Sequence, residues 1–268
     1  MNYFLHRDFK ISEKNKNRIK IYFNGIKTLN IPINLKNKTY NATIDIDSFN
    51  HLTNFDCFNC LTNCCVQFPY EFNKKSRSVI LGNLKEYDSL TKAVSILKEE
   101  GLTEAEIITS IKNDKMLIPD EHVDSTFDRC TCSCIHIDRH LCAIHKICID
   151  NGASLGEIID TKPLWCSIYP LEIIQENETL YIFVPTKKNS YLAMNDSNFA
   201  CMDIEKSKSP YFRRDNPIGF NSEEYQPFII SYQNVLEYIF GSDFVNSIKK
   251  SLNLENQNSD DLQYNKKI

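Results

Sequence analysis

Hydrophobic and polar positions along the chain change period several times, and each change predicts an element. Residues 1–16 are polar, which predicts a loosely held start. Arg18-Ile-Lys-Ile-Tyr-Phe23 alternates with β-branched and aromatic residues, the pattern of a strand. Tyr40 to Ile46 alternates again, so that Tyr40, Ala42, Ile44 and Ile46 share one face. Over 84–100 the period lengthens. Leu84, Tyr87, Leu90, Val94 and Leu97 recur at spacings of three and four and predict a helix, with Asn83 and Glu86 at its start and Gly101 at its end. Thr103-Glu-Ala-Glu106 is a capping box opening a second helix, with Ile107, Ile108 and Ile111 as its buried face.

Further on, a helix is expected over 141–151, ending near Gly152. Ser154-Leu-Gly-Glu157 opens a short helix that Lys162-Pro163 stops. Leu180 to Val184 reads as a buried strand. Phe228 to Phe240 reads as a helix closed by Gly241, and Ser242 as the cap of a last helix carrying Phe244, Val245, Ile248 and Leu252. From about 254 the chain is polar and is expected to be disordered. The pattern predicts a helix-rich α+β protein with a few short strands around a loop-rich cysteine-cluster module. Its segments are an N-terminal strand-containing extension over 1–54, a cysteine-cluster metal-binding domain over 55–205, C-terminal helices over 206–253 and a tail over 254–268. No repeat and no clear linker marks the boundaries.

Composition narrows the chemistry. The chain has 268 residues, 42% hydrophobic and 25% charged, with a net charge of -4. That balance lacks the basic excess of a phosphate-binding surface, which argues against a nucleic-acid partner. No apolar run reaches the length of a membrane span, and the N-terminus carries no apolar secretory segment. The expected compartment is therefore the cytoplasm, with no membrane partner. Eleven cysteines in a reducing compartment read as metal-binding thiolates rather than as a disulfide framework.

Four of them, Cys57, Cys60, Cys64 and Cys65, lie within nine residues. Spacers of two and three residues let their sulfurs converge, as thiolate–metal bonds of about 2.3 Å require. A free cysteine is ordinarily a small buried hydrophobe. That explains one or two such residues, not four in a polar loop. Cys130, Cys132 and Cys134 recur at every second position and fit one face of a strand, which leaves Cys130 and Cys132 open between ligand and bystander. Cys148 continues the apolar stripe Leu141, Ile144, Cys148 and is expected in the core. His145 follows Cys142 by three residues, a helical spacing that lets both face one site, although a satisfied core histidine is the commoner outcome. His136 and His140 also stand beside the cysteines. Trp165 abuts Cys166 and either shields a centre from water or fills the core. Only seven glycines are present, and none forms a dinucleotide-binding fingerprint or a P-loop.

The run Cys57-x-x-Cys60-x-x-x-Cys64-Cys65, then Cys134-Ile-His-Ile-Asp, Leu141-Cys142-Ala-Ile-His145 and Lys162-Pro163-Leu-Trp-Cys166-Ser-Ile-Tyr-Pro170-Leu171 resembles the YkgJ-type cysteine-cluster proteins. The resemblance covers roughly residues 55–172. It departs from the family pattern at Ile135-His136, where an aromatic–Leu pair is usual, and at Lys162, where Arg is commoner. The family is described as zinc- or iron-chelating, and related modules occur in flagellin lysine N-methylase. What the resemblance implies is a ligand set of Cys57, Cys60, Cys64, Cys65, Cys134, Cys142 and Cys166. Adding Cys201 brings the count to that of two four-cysteine sites. Sulfur count favours an iron–sulfur cluster, such as [4Fe–4S], over Zn2+. The two cysteine regions are expected to share one centre or two adjacent ones.

Three functions follow as expectations. The first is a metal-cluster protein with a redox or maturation role. The second is a cluster-dependent enzyme that modifies a peptide or protein side chain with S-adenosylmethionine, as the methylase resemblance implies. The third is a zinc-stabilised interaction module. The sequence singles out no catalytic residue.

Overall fold

The computed structural model describes residues 1–4, 6–35, 37–55, 73–113, 133–136, 139–194, 199–215 and 219–255. The chain opens with β1 (Asn2–Tyr3), β2 (His6–Lys10), α1 (Glu13–Asn24), β3 (Thr28–Leu35), β4 (Lys38–Asp45) and β5 (Leu52–Thr53). Helices α2 (Lys74–Gly82), α3 (Leu84–Thr91), α4 (Ala93–Glu99) and α5 (Glu104–Lys112) follow. A hairpin of β6 (Ser133–His136) and β7 (Arg139–Cys142) leads into α6 (Ala143–Asp150), α7 (Leu155–Thr161) and α8 (Leu164–Ile168). Next come β8 (Glu172–Glu176), β9 (Thr179–Phe183), α9 (Ile204–Lys208), α10 (Pro210–Asp215) and β10 (Gln226–Pro227). The last described elements are α11 (Phe228–Ser231), α12 (Gln233–Phe240) and α13 (Ser242–Ser251). The fold is α+β and rich in helix. Among the described residues no helix is long and apolar enough to cross a membrane.

Two compact units divide the chain: residues 1–56 with 168–268, and residues 57–167. Residues 168–205, which the sequence grouped with the cysteine segment, thus belong to the unit that holds the N-terminal strands.

The first unit is built on a mixed sheet of order β2-β1-β8-β9-β4-β3, in which β4 and β9 run parallel. Alternation in β4 works as the sequence predicts: Tyr40, Ala42, Ile44 and Ile46 are all buried. The start of the chain is held, contrary to expectation. Asn2 and Tyr3 pair with Gln175 and Ile174, and Phe4 is buried with its ring edge-on to Tyr40 at 5.5 Å. The Arg18–Phe23 segment is a helix rather than a strand. Ser12 caps it by accepting from the Asn15 N–H, and Glu13 stands in its first turn, where a negative charge is favoured. Ile19 and Phe23, four residues apart, bury together against Ile174 and Phe183, whereas Ile21 is 73% exposed. The three apolar residues satisfied a period of two, but the core uses only the pair on one helical face.

Helices α11 to α13 belong to the same unit, where Phe228 packs edge-on against Phe49 and stacks on Tyr232. The single helix expected over 228–240 is interrupted at Tyr232, and Gly241, at φ 89°, ends the second piece. Gly241 rather than Ser242 is the residue preceding α13, and no side-chain cap bond forms there. The tail expected from about 254 lies largely outside the described residues.

The second unit gathers the apolar stripes of α2 to α7 into one core, including Ile80, Tyr87, Leu97, Ile107, Ile144 and Ile158. Here the helix expected over 84–100 is two helices. Lys92 takes the left-handed conformation (φ 59°) between them, and Asp88 accepts from the Ser95 N–H (2.8 Å) and hydroxyl (2.6 Å) across the break. The stripe survives the break, since Leu90, Val94 and Leu97 all stay buried. Both capping boxes form as read, at Thr103–Glu106 and Ser154–Glu157. Each is worth about 1 kcal/mol in exposed helices. Lys162, extended at ψ 151°, ends α7 ahead of Pro163. The helix expected over 141–151 starts two residues later, because Leu141 and Cys142 complete the β7 strand.

Candidate metal centre

Cys142 closes β7 and is the residue from which α6 springs, so strand and helix meet at its backbone. It is half-buried and packs on the edge of the second unit's core. The hairpin register pairs Cys134 with Leu141 and Ser133 with Cys142, which sets Cys134 and Cys142 one step apart on adjacent strands. One helical turn on, His145 is buried. Cys134 shares a face of the hairpin with Leu141, and the alternation along β7 sets Cys142 on the other face. Cys166 lies in the middle of α8, half-buried, beside the buried Trp165. The next residue fixes that helix: the Ser167 hydroxyl donates to the Ile159 carbonyl at 3.1 Å.

The cysteine loop 57–65 lies outside the described residues, as do Cys130 and Cys132, so the expected convergence of the two cysteine regions falls outside them as well. The chain on either side of the loop is described. On the C-terminal side Asn73 caps α2, accepting from the Ser76 N–H at 2.9 Å. Its amide nitrogen points the other way, at the carbonyls of Asp160 (3.1 Å), Thr161 (3.2 Å) and Lys162 (3.1 Å). The Ser76 hydroxyl also donates to the Thr161 carbonyl. The chain eight residues after Cys65 is thereby tied to the end of α7, five residues before Cys166. Carbonyls at a helix C-terminus lack intrahelical donors, and the Asn73 and Ser76 side chains supply them.

On the N-terminal side β5 pairs with β10, and the Thr53 hydroxyl bonds the Ser231 hydroxyl at 2.6 Å in a buried contact. The Asn54 N–H donates to the Cys201 carbonyl at 2.9 Å, within the first unit. Cys201 is buried on the 3-10 turn Ala200–Met202. The ring of Tyr225 lies nearby, its hydroxyl donating to the Ala200 carbonyl. Burial above all, with Cys201 nearby, pushes the Tyr225 hydroxyl up to about 12, opposed by a hydrogen bond with Ser207.

Cys148 is where its apolar stripe put it, in the core with Ile80 and Ile144. Burial pushes its thiol pKa up, opposed by a hydrogen bond with Thr161 and by the charge of Lys162. Such a thiol is a weak nucleophile and a poor metal ligand at neutral pH. Among the described residues no three His, Cys, Asp or Glu side chains converge on one point. Thiolates in general select zinc, copper(I) and iron–sulfur clusters. No family model matches this chain, nor does any curated protein or solved structure.

The Asn73 bridge had one sequence signal, an asparagine ahead of a helical stripe. That signal identifies the cap and not the three carbonyls 87, 88 and 89 residues away.

Proposed function

We propose that this chain binds a metal cluster, of the iron–sulfur type, in a cytoplasmic redox or maturation role. The proposed ligands are drawn from Cys57, Cys60, Cys64, Cys65, Cys134, Cys142 and Cys166. The observation that carries this reading is the Asn73 bridge. It ties the chain eight residues after Cys65 to the Lys162–Pro163 turn that leads to Cys166, in the same unit as the Cys134–Cys142 hairpin. A metal centre supported by several chain segments needs each segment's backbone held before the thiolates close on it. Such a cluster supplies one-electron redox chemistry when bound.

Metal and acid-labile sulfide analysis of anaerobically purified protein tests the reading. Iron with matching sulfide is the expected result. Cys60→Ser or Cys64→Ser should lose metal and soluble yield together, because in such sites metal-binding free energy is folding free energy. Zinc without sulfide would replace the cluster by a structural zinc site. Metal-free protein with an unchanged melting curve in both variants would end the proposal.

A further inference from the structure

The first unit contains a cleft of about 570 Å3 that the metal reading does not use. This volume lies in the range of small-molecule sites, about 300–1,000 Å3. Ile26, Leu52, Met202 and Ile204 give it apolar walls. Its floor is built around Asp45, which is 2% exposed. One Asp45 carboxylate oxygen accepts from the Tyr22 hydroxyl at 2.6 Å and from the Asn189 amide at 3.3 Å. The other accepts from the Ser48 N–H at 3.2 Å. The Tyr22 hydroxyl is kept protonated by burial and by the adjacent carboxylate. On the rim, His51 Nε2 lies 2.6 Å from the Met202 carbonyl.

Charge accounting then separates the lining groups. Asp203 is paired with Lys187 at 3.1 Å and accepts from the Glu205 and Lys206 N–H groups. Glu205 is paired with Lys208 at 2.9 Å. Asp45 is satisfied by its three donors. Besides Asp45, whose donors are all neutral, two charged lining groups have no ion-pair partner among the described residues: Asp47, an exposed carboxylate, and Lys188, an exposed ammonium. The cleft thus offers one open anion, one open cation and apolar walls.

We propose that this cleft binds a zwitterion of the apolar α-amino-acid class. Lys188 takes the carboxylate, Asp47 takes the ammonium, and the side chain lies along Leu52 and Ile204. A ligand of single sign would engage only one of the two groups. A dipolar ligand answers both, and charge-assisted bonds are the stronger kind. The inference is independent of the metal reading.

Calorimetric titration of the full chain with L-leucine, N-acetyl-L-leucine and L-leucine amide tests it. L-leucine should bind saturably, and each blocked derivative should bind about fivefold or more weakly, since each lacks one charge-assisted contact. Lys188→Ala should make leucine and its amide equivalent. Asp47→Asn should make leucine and its N-acetyl derivative equivalent. Both positions are exposed, so both variants should keep the wild-type melting temperature. Absence of saturable leucine binding, equal binding of the three probes to the unaltered chain, or undiminished discrimination in both variants would overturn the proposal. The comparison on the unaltered chain decides the matter even if a variant fails to fold.

Discussion

The Asn73 side-chain amide donates to the Lys162 carbonyl at 3.1 Å while its oxygen caps α2. One residue therefore serves two helices at once, the start of α2 and the end of α7. Asn73→Ala removes both roles. It should destabilise the chain by about 1–3 kcal/mol, the range for a lost cap plus partly buried acceptors left unmet. Asn73→Asp keeps the capping oxygen but turns a second oxygen on three carbonyls. It should be at least as damaging, the reverse of what cap preference alone predicts. Urea midpoints of the two variants check this, and an Asp variant close to the unaltered chain would refute it. If the metal reading holds, both variants also lose metal at lower chelator concentrations.

Cys148→Ala should leave any bound metal untouched and cost about 1 kcal/mol, a packing loss at a small buried side chain. In the folded chain Cys148 should also react with iodoacetamide far more slowly than in urea. A lost metal equivalent, or rapid alkylation when folded, would identify it as a ligand or an active thiol.

Alkaline pH should destabilise the first unit. Burial, with Glu172 nearby, pushes the Tyr3 hydroxyl up to about 12, and burial does the same for Tyr225. An unfolded tyrosine ionises near pH 10. Between about 10 and 12 the unfolded chain has released protons that the folded chain keeps, so unfolding free energy falls as pH rises. Below pH 10 this contribution is fully present. Urea midpoints between pH 9 and 12 read the slope, and Tyr225→Phe should reduce it. A flat profile would show that these hydroxyls are not held protonated.

Lys92 holds a left-handed backbone (φ 59°) between α3 and α4. That conformation costs a side-chain-bearing residue about 1–2 kcal/mol, part of which glycine gives back through its freer unfolded chain. Lys92→Gly should therefore raise the melting temperature slightly, and Lys92→Val should lower it. A rise with valine would contradict the assignment.

How much of this the sequence discloses depends on the distance between cause and effect. The capping boxes at Thr103 and Ser154 are complete within four residues, and both form. The β4 face and the burial of Cys148 follow from local period. The strand at Asn2–Tyr3 is only two residues long and pairs with β8 more than 170 positions away, so no window shows it. Ile19, Ile21 and Phe23 fit two periods, and only the packing partners Ile174 and Phe183 decide between them. Within the candidate site, composition marks the cysteine loop, while the Asn73 bridge is a long-range pairing that sequence spacing does not encode.

The parallel pairing of β4 with β9 also imposes an order on synthesis. Strand β4 ends at Asp45, and its neighbour β9 begins at Thr179, beyond the whole second unit. At about 5–20 residues per second, the ribosome takes on the order of ten seconds to reach it. Through that interval the inner edge of β4 has emerged without its mate, while the cysteine-bearing second unit is being made. The half-made sheet is then the stage at which a nascent chain is most exposed to misassociation, and the stage at which a holding chaperone would matter most.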